Sequence, residues 1–276
     1  MCSRYLPLFS AALIFGLAFS HAAVAKTNFN FPEKEVPVLR IDEYYSEANK
    51  DKRPMLLVYP DGRVVRSVSN EQTDDFEFTL SESKFEQILN RVFVKNDIMT
   101  ISDETIKNEI SPRHRAMRPS RTTFKVTAST ANGSHVINYG SSWVHDRLGL
   151  GRKRHPDAKH LQRFLRVEDT CRELANLALI GGEEAFQSTV KKANEKFKEA
   201  YPDGPGISDK DLFSVRRNKD GEIAIRFRIE RKVVAVEPVS VWVRKTQSDQ
   251  EPSIEIKADK PFLMRDVLTP PPNKVK

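Results

Sequence analysis

Cysteine is nearly absent from this chain of 276 residues, which has two. Cys2 lies in what reads as a secretory leader, so Cys171 would be left alone and no internal disulfide is expected. Stability must then come from a hydrophobic core, which this length allows. Long apolar runs are scarce as well. Residues 6–19 are too short for a comfortable membrane span, and nothing after them approaches that length. Several enzyme signatures are missing. No H-E-x-x-H occurs. Gly140-Ser141-Ser142-Trp143 lacks the second glycine of a nucleophile elbow. Gly149-Leu150-Gly151 is no dinucleotide fingerprint, because Arg154 stands where the third glycine belongs, and it is no Walker loop. No cofactor is expected.

What is present begins with an export signal over residues 1–25. Arg4 supplies the positive n-region, residues 6–19 the apolar core, and Ala23-Val24-Ala25 the small-residue cleavage site. Cleavage before Lys26 would release the protein to the periplasm or beyond the cell, with no transmembrane segment in the mature chain. Cys2 precedes the apolar core and is misplaced for lipid modification. An exported chain without disulfides points to a bacterial envelope. The net charge of +7 permits attraction to anionic partners without being a nucleic-acid footprint.

The strongest periodicity lies in residues 156–200. Leu161, Phe164, Leu165, Val167, Cys171, Leu174, Ala175 and Ala178 recur at threes and fours, one side of a helix. Pro156 suits a first helical position and Gly181-Gly182 a helix end. Phe186, Val190, Ala193 and Phe197 mark a second helix, so a helical hairpin is expected. Pro60-Asp61-Gly62 predicts a hairpin between 55–59 and 63–68, and Asn132-Gly133 a second one. Helices are expected at 81–93, capped by Thr79 or Ser81, and at 102–110. After Pro202, Ser208 with Asp211 signals another helix, and strands alternate near Ile223–Ile229, Val239–Val243 and Ile254–Ile256. The fold class is α+β: antiparallel hairpins covered by helices including the long hairpin, then a small C-terminal β-meander. The organisation reads as a loose lead-in over 26–53 with a short strand at 36–41, and an α+β domain over 54–203. A helix plus meander follows over 204–260, then a disordered basic tail over 261–276. Whether the two β segments share one sheet stays open.

The order of Tyr59-Pro60-Asp61-Gly62-Arg63-Val64-Val65, Thr79-Leu80-Ser81, Arg121-Thr122-Thr123, His155-Pro156 and Gly181-Gly182 resembles uncharacterised exported proteins of planctomycete bacteria. The resemblance spans about residues 54–230. It implies an exported or envelope protein with no assigned activity, and it carries over no catalytic residue.

The clearest functional lead is electrostatic. Arg152, Lys153, Arg154, Lys159, Arg163 and Arg166 gather at and around a helix N-terminus, where unpaired backbone N–H groups favour anions. Such a segment suits an acidic protein, a polyanionic glycan or a membrane surface; the alternative is a solvated basic face. Nucleic acid is disfavoured, because export separates the two and aromatic residues do not interleave the basic run. His155, Asp157 and His160 are the one dense set of metal-type ligands, although residues five apart on a helix point about 140° from each other. The alternative there is solvated polar side chains. Cys171, inside the apolar stripe, reads as a small buried hydrophobe. These features suggest a non-enzymatic envelope protein that binds or scaffolds; the alternative is an extracytoplasmic hydrolase whose catalytic residues the sequence does not identify.

Overall fold

Strand alternation and turn chemistry build a first sheet. The structure, a computed structural model, describes residues 29–44, 54–69, 73–110, 123–139, 155–229, 239–246 and 251–258. The expected leader, the basic loop at 113–121, Arg152, Lys153, Arg154 and the tail at 261–276 lie outside the described residues. Pro60-Asp61-Gly62 closes a hairpin between β2 (Leu56–Val58) and β3 (Arg63–Ser69), with the Gly62 N–H donating to the Tyr59 carbonyl at 3.0 Å. β3 pairs onward with β4 (Thr73–Thr79). The second hairpin joins β5 (Thr123–Thr130) to β6 (Gly133–Tyr139); its loop is Ala131-Asn132, one residue earlier than expected. β1 (Leu39–Tyr44) runs between β2 and β5. The order is β4-β3-β2-β1-β5-β6, antiparallel throughout.

One row of residues crosses the whole sheet: Phe76, Arg66, Leu56, Ile41, Val126 and Ile137 each lie opposite the next. Residues 29–44 are therefore no loose lead-in. Leu39 and Ile41 are fully buried in the middle of the sheet, and the strand starts three residues later than expected. Arg40 and Asp42, paired with each other at 3.0 Å, point to the opposite face and conceal the strand from an apolar scan.

Helices cover the apolar face. α1 (Glu82–Leu89) is capped by Ser81 and not Thr79, since the Ser81 hydroxyl accepts from the Lys84 N–H at 3.4 Å. It runs into a π-helical turn, Asn90–Lys95, and a 3-10 turn, Ile98–Thr100. α2 (Asp103–Glu109) starts with a reciprocal Ser102–Thr105 box. α3 (Lys159–Ile180) begins three residues after Pro156, which sits in the turn before it. Gly181, with φ 102°, closes α3: the Gly182 N–H reaches the Leu177 carbonyl at 2.8 Å and the Gly181 N–H the Ala178 carbonyl at 3.2 Å. α4 (Glu183–Ala200) follows at once.

The chain after Pro202 makes a second sheet. Ser208 and Asp211 do form a capping box, but the helix is only a 3-10 turn, Asp209–Asp211. Leu212 then enters β7 (Leu212–Arg217), a strand the sequence reading lacked. β8 (Ile223–Ile229), β9 (Val239–Lys245) and β10 (Ser253–Ala258) complete an antiparallel meander in the order β10-β9-β8-β7. The two β segments are thus two sheets.

The helical pair divides its burial between them. Phe164, Leu165, Val167 and Leu174 of α3 join the core of the first sheet. Leu177, Leu179 and Ile180 join that of the second, as do Phe186, Val190, Ala193 and Phe197 of α4. The Phe186 and Phe227 rings stack at 6.4 Å. The expected boundary near residue 204 therefore runs inside the second core. Arg217 of β7 also ties the sheets together, pairing with Asp74 and lying 5.2 Å above the Phe76 ring. No helix among the described residues is long and apolar enough to cross a membrane.

Candidate functional site

The N-terminus of α3 already holds an anion, and it belongs to this chain. Its N-cap residue, Ala158, provides no side-chain acceptor. Glu109, the last residue of α2, fills the gap. Its carboxylate accepts from the His160 N–H at 2.8 Å and the Leu161 N–H at 3.1 Å, and it meets His160 Nδ1 at 2.7 Å. Burial works against the charge, but these hydrogen bonds and the imidazole outweigh it and hold the Glu109 carboxyl below its usual range. Two of the N–H groups at this helix start are thus already taken from within the chain.

Glu109→Gln is expected to lower stability at neutral pH and to flatten its pH dependence. The folded carboxyl value is depressed, so its contribution is complete above the ordinary carboxyl value of about 4.3 and is lost as pH falls through the folded value. Unfolding temperatures of both forms, measured from neutral pH downward, check this. Parallel curves would remove Glu109 from the role of cap.

The basic side chains are separated in the same way. Arg163 donates to the Asn96 carbonyl at 2.7 Å, the Asp97 carbonyl at 2.8 Å and Thr100 Oγ1 at 3.0 Å, and it pairs with the Asp97 carboxylate at 3.2 Å. It closes the end of the π-helical turn, where Asp97 adopts a left-handed φ of 43°. Arg166 donates to Asn96 Oδ1 at 2.8 Å. Both side chains thus make contacts within the chain, while Arg166 remains exposed. Lys159 is exposed.

The metal candidates do not converge. His160 is engaged by Glu109, Asp157 is exposed, and the His155 carbonyl accepts from Gln162 Nε2 at 2.7 Å. Among the described residues no three His, Cys, Asp or Glu side chains are arranged to hold a metal ion. Cys171 is fully buried, and that burial pushes its thiol well above the usual value, as suits a packed hydrophobe.

A different surface collects the charge. The inner face of the second sheet packs Ile225, Phe227, Val241 and Val243 into the core. Its outer face carries three cross-strand rows. Lys257, Ser240 and Arg228 form the first; Glu255, Trp242, Arg226 and Ser214 the second; Ser253, Arg244, Ala224 and Arg216 the third. That is five cations against one carboxylate in the rows; Glu255 pairs with Lys257 at 2.8 Å and lies 4.0 Å from Arg244, which also comes within 3.9 Å of Glu222. A register shift between Leu212 and Ser214 turns Phe213 onto this face, where it is 41% exposed. The Arg226 guanidinium lies 4.8 Å from the Phe213 ring and 5.1 Å from the Trp242 ring, and Arg228 lies 5.4 Å from Phe213. Arg226 Nε also donates to Ser240 Oγ at 2.8 Å. Guanidinium groups held against aromatic faces keep their planes fixed while their edges can still donate. The alternation of Arg226 and Arg228 with apolar residues was visible in sequence; the register that brings Phe213 and Trp242 beside them was not.

The chain matches no protein-family model, and no curated protein is significantly similar to it.

Proposed function

We propose that this is an exported bacterial envelope protein that binds or scaffolds and is not an enzyme, and that it holds an anionic partner on the outer face of its second sheet. The partner class is an acidic protein, a polyanionic glycan or an anionic membrane surface. The resemblance to exported planctomycete proteins and the leader-like N-terminus support the location. The observation that carries the binding role is the set of rows on β7 to β10, where Arg216, Arg244 and Lys257 stand exposed around Phe213 and Trp242. Flat faces of this kind meet extended anions with several charge-assisted hydrogen bonds at once. The Arg152, Lys153 and Arg154 run, with Lys159, is a second basic element that could extend the contact.

Retention on a heparin column at low salt tests the reading. Arg216→Ala, Arg244→Ala and Lys257→Ala together are expected to weaken binding about tenfold or more, at up to ~1 kcal/mol for each exposed cation. These side chains are exposed or half-exposed, so the fold should survive. The companion variant carries Arg152→Ala, Lys153→Ala and Arg154→Ala. Loss in that variant alone would move the site to the segment before α3. Unchanged retention in both would sink the proposal.

A further inference from the structure

A cleft of about 540 Å3 opens at the end of the first sheet, between the Pro60-Asp61-Gly62 turn, the first turns of α1, and the chain leading into β1. Its apolar wall combines three phenylalanines with Pro60, Leu80 and Leu89. Phe31 and Phe85 stack with centroids 5.9 Å apart, and Phe29 meets Phe31 edge-on at 4.9 Å. Leu80 and Phe85 are buried beneath it, while Phe31 stays 39% exposed. The leading segment is held in place, because the Asn30 carbonyl accepts from the Ala131 N–H at 3.0 Å across the sheet end.

The rim carries charge of one sign. Asp61, Glu82 and Glu86 line the cleft, and among the described residues no lysine or arginine does. Glu82 and Glu86 stand four residues apart on one face of α1. Two nearby cations are committed to another helix, and a third, Arg63, already reaches the rim residue Asp61. Lys84 and Arg91 both pair with Glu173 of α3, at 2.6 and 2.7 Å. Arg63 lies 3.9 Å above the Tyr59 ring and reaches Asp61 and Glu77. Glu86 forms no ion pair among the described residues.

We infer that this cleft is a binding site for a partner peptide that presents an arginine or lysine beside an apolar residue. Phe31 offers its ring to the cationic head and Glu86 its carboxylate, while the apolar walls take the stem and the neighbouring side chain. The volume lies in the range of ordinary ligand sites, about 300–1,000 Å3, and exceeds what one side chain fills. The site has the opposite charge preference to the outer face of the second sheet, and it stands or falls independently of that reading.

Calorimetric titration of the full chain with the blocked peptide Gly-Leu-Arg-Leu-Gly tests the inference. The controls are the same peptide with neutral citrulline for arginine, and hexylguanidine as a free cation. The arginine peptide is expected to saturate the protein, with the citrulline peptide about fivefold weaker or more. Phe31→Ala and Glu86→Gln should each weaken the arginine peptide about fivefold, with unchanged circular dichroism, since neither side chain is buried. Equal binding of the arginine and citrulline peptides would overturn the inference, as would full affinity in both variants or no saturation by about 5 mM peptide. Hexylguanidine binding as tightly as the peptide would overturn the peptide as occupant and leave a small-cation site.

Discussion

Phe164→Ala is expected to cost about 3–5 kcal/mol of stability, the range for emptying a fully buried aromatic site. The side chain has no exposed surface, stands in the second turn of α3, and meets the Phe124 ring of β5 edge-on at 6.3 Å. A helix of 22 residues spanning two sheets has little freedom to collapse into the space left behind. Urea unfolding followed by circular dichroism reads the loss. The same experiment separates two views of the architecture. Because α3 carries side chains into both cores, Phe227→Ala in the second sheet should shift the same single transition. Two transitions, with Phe227→Ala moving only one of them, would mean that the sheets unfold separately despite the shared helix.

Arg172→Met is expected to be about as damaging, at roughly 3–5 kcal/mol, because it strips the charge partner from a fully buried carboxylate. Glu168 lies on the core side of α3 with no exposed surface, and the Arg172 guanidinium pairs with it one turn later. Taking two charges out of water is costly, so the pair itself adds little; the cost appears when one charge is left without the other. The double change Glu168→Leu with Arg172→Met should therefore recover most of the loss. Urea midpoints of the two singles and the double form the cycle. A double variant as unstable as the single would show that Glu168 is retained for its other contacts.

Much of the secondary structure was legible because its causes are short-range. Ser81, Ser102 and the Ser208–Asp211 box announced three chain turns within four residues of each. Gly181-Gly182 announced the end of α3 for a conformational reason: both residues take positive φ, 102° and 96°, which side chains other than glycine rarely adopt. The strands that escaped notice have local reasons too. In β4 the inward Phe76 and Phe78 alternate with Asp75 and Glu77, residues of poor strand propensity. In β7 the irregularity between Leu212 and Ser214 breaks the period of two that would have revealed it. Arg66 shows the limit from another side. An arginine in a strand reads as outward-facing, yet this one points inward and donates to the Ala175 carbonyl of α3 at 2.8 Å, and burial pulls its guanidinium down to about 10.

The candidate site was less legible. Its basic run was visible as composition, but a composition does not say which cations are already spent. Arg163 and Arg166 are engaged by residues about seventy positions earlier, and the anion at the head of α3 comes from α2, some fifty residues upstream. Caps, turns and periodicity depend on neighbours within a turn of helix or a pair of strand residues, and the sequence alone determined these, together with the α+β class they add up to. The order of strands, the sharing of α3 between two cores, the docking of Glu109 at a helix end and the gathering of Phe213, Arg226 and Trp242 on one face depend on partners chosen across the chain. Only the tertiary structure decided those, because the energy of such a contact depends on which distant groups come together and on how far water is excluded between them.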